Sequence, residues 1–209
     1  MKHLACLLLT SLAILTNPSY ASVVLYQDSG QFQAAAPAGT TETFEGYAAP
    51  ASFVNVSDTT LGNLSFGAST FIVDPDFDGG GYNWNTGAVL NFANSPTVDT
   101  TLSFAPTTAF SALFGTVGPT DDDFGQDIIV TVNDQSFLLG TGSFANWTFY
   151  GFISDTPFSS VSFSTAQGFP ILDNVFVGNS TATVPEPTSL AMLALGILCI
   201  ATVRRRQEK

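Results

Sequence analysis

The chain has very few basic residues, and those it has lie at its two ends. Of 209 residues, five are Lys or Arg and one is His. None of these lies in residues 22–184, called the body below, which holds all but two of the 17 acidic residues. Nucleic acids and anionic lipids need protein cations, so the composition argues against both as partners. The acidic charge either keeps a Phe-rich domain soluble or binds a cationic partner.

The body also lacks the residues of most enzyme chemistry. The two cysteines of the chain, Cys6 and Cys199, both lie outside the body. The body therefore cannot contain a disulfide, a thiol nucleophile or a Cys-based metal site. Without His there is no imidazole base or zinc ligand, and no Ser has a His or Lys partner for a triad. A glycosidase-type pair of carboxylates stays open, although no spacing selects one. We therefore expect no enzyme activity.

The N-terminal segment has the layout of a secretory signal peptide. Lys2 precedes an apolar run at residues 4–15, and Ser19 and Ala21 stand at the small-residue positions of a cleavage site. The pattern predicts a signal helix in residues 1–21, removed by cleavage between Ala21 and Ser22. A retained anchor is the alternative, but the run is shorter than the roughly 20 residues that span a bilayer.

The C-terminal segment predicts a single transmembrane helix. Residues 188–203 are uncharged and mostly apolar, and as a helix they would extend roughly 24 Å against a hydrocarbon core of about 30 Å. Local thinning and snorkelling arginines cover such a mismatch. The basic end, residues 204–209, begins with the stop-transfer residues Arg204, Arg205 and Arg206, which should stay cytoplasmic. A buried core helix is the alternative, and the terminal arginines argue against it.

The order of motifs in residues 185–209 resembles the PEP-CTERM sorting signal. Pro185, Glu186 and Pro187 precede the apolar segment, and the Arg cluster follows it. The resemblance implies an exported protein of a Gram-negative, biofilm-forming bacterium. It also implies an inner-membrane anchor that exosortase, a membrane-embedded cysteine transpeptidase, recognises and processes near the motif. The destination would be the cell surface or the extracellular matrix. The signal implies where the protein is delivered, and it implies no biochemical activity.

Short strand signals recur through the body about every 8 to 14 residues, separated by Gly, Pro, Asn, Asp or Ser. With no alternating helices, they predict an all-β, antiparallel, jelly-roll-like β-sandwich at residues 22–178, joined to the tail by a linker at 179–184. One helix is expected at residues 29–36 with Ser29 as N-cap, and one tight hairpin at Asn133 and Asp134. The strands are expected at residues 23–26, 41–44, 64–66, 71–73, 89–92, 100–104, 109–114, 128–132, 136–139, 147–152, 161–164 and 175–177.

The body more loosely resembles the sandwich domains that often precede this tail. Such domains open with a strand like residues 43–45, Thr-Phe-Glu, and close with one like residues 173–175, Asp-Asn-Val. Some of them resemble lectin or carbohydrate-binding jelly rolls. The resemblance implies a β-sandwich, and it assigns no binding residues.

Three acidic patterns are candidate calcium sites. In the first, Asp74, Asp76 and Asp78 alternate and are followed by three Gly, so that their oxygens could converge on a hard cation. This is no EF-hand, because the twelfth position is Asn85, and a solvated loop is the alternative. The second pattern is a cluster of Asp121, Asp122, Asp123 and Asp127, which either binds a metal or forms an exposed loop tip. The third pattern is a pair, Glu45 and Asp173, on strands that are expected to be neighbours.

Aromatic residues suggest a sugar-stacking surface. Tyr82 and Trp84 lie two residues apart, which places them on one face of a strand, and Trp147 and Tyr150 lie beside a second loop. Aromatic rings pack on sugar C–H groups while nearby amides and carboxylates bind hydroxyls. Packing in the core or at a sheet edge is the alternative.

Together these patterns predict an exported surface or matrix protein with a non-enzymatic, structural or adhesive β-sandwich. The alternative is a calcium-dependent, lectin-like module that binds exopolysaccharide. A carboxylate-pair glycoside hydrolase is a third hypothesis.

Overall fold

The computed structural model describes residues 21–77, 89–91, 100–118, 125–143, 146–166 and 168–181. These contain one helix, α1 (Ser29–Ala35), and thirteen strands that form one hydrogen-bonded network. The strands are β1 (Val23–Tyr26), β2 (Ala38–Glu42), β3 (Phe53–Asn55), β4 (Thr60–Leu61), β5 (Leu64–Phe66), β6 (Phe71–Val73), β7 (Val89–Asn91), β8 (Thr100–Val117), β9 (Asp127–Val132), β10 (Gln135–Gly140), β11 (Gly142–Ser143), β12 (Thr148–Thr165) and β13 (Phe169–Asn179).

Two long strands, β8 and β12, belong to both layers of the sandwich. The first half of β8 pairs with the second half of β12 and with β5, while β9 and β10 continue that layer beyond β12. The second half of β8 pairs with the first half of β12 and with β13, and β1 and β2 extend that layer. The pairing is antiparallel except for β11, which runs parallel to β8. The predicted all-β sandwich is confirmed.

Phenylalanine side chains fill the space between the two layers. Phe163 from one layer lies 6.2 Å from Phe110 of the other, measured between ring centroids, and Phe104 stacks on Phe110 at 5.8 Å. Phe110, Phe152 and Phe163 are at most 1% exposed. Burying apolar area is therefore the main source of stability, because the body has no cation for side-chain ion pairs.

Helix α1 covers part of the outer face of the second layer and forms a smaller core. Asp28 caps its start by accepting a hydrogen bond from the Gln31 N–H at 2.7 Å. The expected N-cap at Ser29 was therefore wrong by one residue. The Phe32 ring, 1% exposed, packs edge-on against Phe149 and Phe176 and lies directly over the backbone of Gly151. Only a residue without a Cβ fits there.

Two pairs of predicted strands are in fact single long strands, because the chain bends there without reversing its direction. The separate strands expected at 100–104 and 109–114 are one strand, β8, and those at 147–152 and 161–164 are one strand, β12. In the sequence, Pro106 and Pro157 indicate the ends of strands. In the structure they lie at bends where β8 and β12 pass from one layer to the other and where the register of their pairing shifts.

Two short segments differ from their predicted conformations. The strand expected at 41–44 ends at Glu42, because Phe44 has a positive φ of 59° and a fully buried ring. Ser180 and Thr181, placed in the linker by the sequence, hydrogen-bond to Thr108 and Ala35 of the body.

The hairpin predicted at Asn133 and Asp134 is confirmed and has a second role. Both residues have positive φ, 46° and 61°, as a two-residue turn between β9 and β10 requires. The Asn133 amide donates to the Ser154 hydroxyl at 2.7 Å and to the Thr156 carbonyl at 3.1 Å. The turn is thereby tied to the bend of β12.

Gly151→Ala should destabilise the protein by about 1–3 kcal/mol, the usual cost of overpacking a filled core. The added Cβ would lie 2.3 Å from Phe32 Cδ2. Urea unfolding of the full-length protein would measure the change. The matched control is Gly140→Ala, also in a strand, whose Cβ meets its nearest atom only at 3.8 Å. Equal stability of the two variants would contradict this packing.

Replacing each turn residue by Gly should separate backbone conformation from side-chain bonding. Both variants tolerate the positive φ, but Asn133→Gly loses the bonds to Ser154 and Thr156, whereas Asp134→Gly keeps them. We expect Asn133→Gly to be the less stable by about 1–2 kcal/mol in the free energy of unfolding. Equal values would mean that the amide does not fasten the bend.

Candidate functional site

The outer face of the first layer is lined by hydroxyl groups. Along β8 and β12, buried Leu102 and Val161 alternate with outward residues such as Thr101 and Ser162, as the two-residue period of a strand requires. Cross-strand pairing then sets hydroxyls side by side in two rows. One row runs through Ser136, Thr131, Ser162 and Thr101, and the other through Ser160, Ser103, Ser65 and Thr60. We call these eight residues the hydroxyl face.

A groove of about 460 Å³ lies on this face. Its floor includes Thr101, Thr131, Ser160 and Ser162. The volume falls within the range of small-molecule pockets in proteins, roughly 300–1,000 Å³. The groove is therefore large enough for part of a chain-like ligand lying across β9, β12 and β8.

The groove has two walls that come from the turn and the bends. One wall is the turn Asn133–Asp134, and the other contains Pro106, Pro157 and Ser159 from the bends of β8 and β12. Because the Asn133 amide bonds to Ser154 and Thr156, the walls are joined to each other. The turn is thus hydrogen-bonded to the part of the β12 bend that leads into the second wall.

The groove offers uncharged hydroxyls and one carboxylate. Among the described residues that line it, Asp134 is the only charged one. Two cross-strand hydroxyl pairs on the same face already bond to each other, Thr131 to Ser136 at 2.9 Å and Thr60 to Ser65 at 2.8 Å. Hydroxyls both donate and accept, so the surface can bind the alternating donors and acceptors of another polyhydroxylated molecule.

The first calcium candidate is only partly within the described residues. Asp74 Oδ1 accepts hydrogen bonds from the Ala51 and Asp76 backbone N–H groups, both at 2.9 Å, so this oxygen shapes the loop. Asp78 lies outside the description, as do Asp121, Asp122 and Asp123. Within the described ranges no three His, Cys, Asp or Glu residues are grouped so that they could hold a metal.

The third calcium candidate paired Glu45 with Asp173. Glu45 is exposed, whereas Asp173 is 2% exposed, in β13. The Asn174 N–H donates to Asp173 Oδ1 at 2.7 Å, and Asn174 has a positive φ of 50° where the pairing of β13 shifts. Asp173 thus helps to shape a bulge in β13. Calcium binding stays a prediction for all three patterns.

The aromatic candidates divide into described and undescribed residues. Tyr82 and Trp84 lie outside the described residues. Trp147 is half-buried, does not line the groove, and has its Nε1 buried without a hydrogen-bond partner in the described structure. Tyr150 belongs to the core: its hydroxyl donates to the Gly140 carbonyl at 2.6 Å. Burial, and to a smaller extent the Asp127 charge, raises the pKa of Tyr150 above its ordinary value.

The two terminal signals fall almost entirely outside the described residues. Ala21 and Ser22, the predicted cleavage residues, are described, whereas the sorting motif and the arginines are not. The described part contains no helix that is long and apolar enough to cross a membrane.

The groove itself escaped sequence analysis. Its floor is made of Ser and Thr, which occur throughout the chain and carry no signal of their own. Only the strand register shows that Thr101, Thr131 and Ser162 are neighbours. Residues 161–164 alternate between apolar and polar, a pattern that predicts a strand with one exposed face and not a groove.

Comparisons with known proteins concern the tail and, remotely, the fold. No curated protein matches the chain. A solved structure, a family 35 carbohydrate binding module from Clostridium thermocellum, is 16% identical and matches over 75% of this chain and 98% of its own, with a TM-score of 0.30. That likeness is too remote to transfer a ligand. Residues 183–206 match the model of the PEP-CTERM protein-sorting motif. The chain thus carries a PEP-CTERM sorting signal, as Pro185, Glu186 and Pro187 had indicated.

Proposed function

We propose that this is an exported protein, sorted to the cell surface or extracellular matrix by an exosortase, whose body is a non-catalytic adhesive module. The sorting motif at residues 183–206 carries the first part. Removal of a signal peptide after Ala21 and a membrane helix at residues 188–203 complete the route. The basic end would hold the tail in the inner membrane until exosortase processes it.

The groove supports a saccharide as the ligand of the body. Sugars present hydroxyls at short intervals, and the floor residues present hydroxyls at the spacing of neighbouring strands, about 4.5–5.5 Å between Cβ atoms. Pro106 and Pro157 add apolar surface for sugar C–H groups. The ligand should be uncharged, because the body has no cation to bind a uronic acid, sulfate or phosphate group.

The same lining supports binding without turnover. Glycoside hydrolysis uses two carboxyl groups on either side of the scissile bond, at separations of about 5–9.5 Å. The part of the groove lining that the structure describes contains one, Asp134. The body also has no His, Lys or Cys that could replace the second.

Calcium-dependent saccharide binding is the second candidate. It is favoured by the Asp74 loop, where one carboxylate oxygen is already fixed by two backbone N–H groups while Asp76 is exposed. A cation shared by Asp74, Asp76 and Asp78 would then bind sugar hydroxyls directly. This site would be separate from the groove.

Changing Pro185, Glu186 and Pro187 to Ala together should keep the protein in the inner membrane. In cells that carry an exosortase, the unchanged protein should reach the surface or the medium without its C-terminal tag. Immunoblots of cell fractions, with antibodies to the body and the tag, would measure both. The control is Glu208→Ala, a change in the same tail outside the motif. Identical fractionation of the triple variant and the unchanged protein would refute sorting by this motif.

Saccharide binding should depend on the groove and not on calcium. Full-length protein, in a detergent without a sugar headgroup, would be titrated calorimetrically with uncharged hexose oligosaccharides and with oligogalacturonate. We expect an uncharged oligosaccharide to bind and oligogalacturonate to bind at least tenfold more weakly. Ser162→Tyr should abolish binding by filling the groove. The control Ser164→Tyr, on the same strand and face but outside the lining, should not.

A milder pair of variants tests the carboxylate. Asp134→Asn should weaken binding about tenfold, since a hydrogen bond to a charged group contributes about 1.5 kcal/mol or more. The control is Asp58→Asn, which is also an exposed Asp with positive φ. Binding that vanishes with a chelator and survives Ser162→Tyr would favour the calcium site. If no uncharged oligosaccharide binds, with or without added calcium, saccharide binding by the groove is refuted.

A further inference from the structure

The first strand begins with a contact between Ser22 and Asp155. Ser22 N donates to Asp155 Oδ1 at 2.9 Å, and Asp155 N donates to Ser22 O at 3.1 Å. The second bond joins backbone groups and extends the antiparallel ladder of β1 and β12 one step beyond the pair Val23 and Ser154, whereas the first ends on the Asp155 side chain. The Asp155 side chain is exposed and Ser22 is half-buried. In the uncleaved chain, Ser22 N is a neutral backbone amide.

We propose that cleavage after Ala21 creates an ion pair between the new Ser22 α-ammonium group and Asp155, and that this pair fastens β1 to the bend of β12. The proposal rests on the proposed export route, because only a removed leader frees Ser22. Cleavage changes the donor from an amide to a cation with an ordinary pKa near 8, without moving it away from the carboxylate. A charge-assisted hydrogen bond is stronger than the neutral one that it replaces.

No other cationic group of the body could pair with Asp155 in place of the Ser22 ammonium group. The body holds no Lys, Arg or His, so the cleaved N-terminus would be its one cation. The other carboxylates of the body also attract it at longer range, although salt screens that part beyond roughly 10 Å. In a protein with many basic side chains, one more surface cation changes the stability little. In this body it would be the sole positive charge among the acidic side chains.

The position of the pair links it to the groove. Asp155 lies between Ser154 and Thr156, both of which bind the Asn133 amide. The same bend continues into Pro157 and Ser159 of the groove wall. The turn of β9 and β10 and the N-terminus that processing creates would thus both hold the bend along the edge of β12 that faces away from β8.

A chemical double-mutant cycle on the exported protein tests the pair. Mass spectrometry first establishes whether the chain begins at Ser22. The α-amine is then acetylated, which removes its charge; no lysine in the body reacts, and Lys209 reacts only if the tail remains. Acetylation should lower the folding equilibrium constant about two- to fivefold, the range of exposed ion pairs. In Asp155→Asn, which keeps an acceptor oxygen, acetylation should have a clearly smaller effect, because only the attraction to the distant carboxylates is then lost.

Asp58→Asn is the control for the loss of one negative charge elsewhere, and in that variant acetylation should act as in the unchanged protein. An equal effect of acetylation in Asp155→Asn would overturn the proposal, as would an N-terminus at another residue. Neither result bears on the tail, because sorting is measured by fractionation of the motif variant. Failure of the ion pair and failure of the proposed function are therefore distinguishable.

Discussion

The packing of Phe110 against Phe152 and Phe163 is the contact on which the rest of the structure depends. Phe110 comes from the second half of β8 and Phe163 from the second half of β12, so their contact holds the two layers together. The uncleaved body has no side-chain cation and hence no ion pair between side chains. Its acidic groups repel one another, and burial of aromatic surface must outweigh that repulsion as well as chain entropy.

The groove is a consequence of how the layers are joined. Strands that pass from one layer to the other must bend, and the bends of β8 and β12 occur at Pro106 and Pro157, which donate no ladder hydrogen bond. The bends rise beside the flat part of the sheet and form a wall. The opposite wall is the turn that the Asn133 amide ties to the same bend. The features that close the sandwich therefore also shape its outer surface.

The sequence predicted much of the local structure but not the juxtaposition of distant residues. Alternation and turn residues predicted the sandwich, several strands to the residue, and the turn at Asn133. They failed at Pro106 and Pro157, because a proline looks the same in a turn and in a bend of a continuous strand. They failed at Phe44, where burial of the ring is combined with a left-handed backbone. The groove could not be predicted, since its residues meet only through the register of β8, β9 and β12.

The absence of basic residues from the body has a consequence for its survival outside the cell. Proteases of trypsin specificity cut after Lys or Arg, and no such bond exists between Lys2 and Arg204. Even a fully unfolded body would give these enzymes nothing to cut. Resistance to this class of protease thus follows from the amino-acid sequence itself and does not depend on the fold.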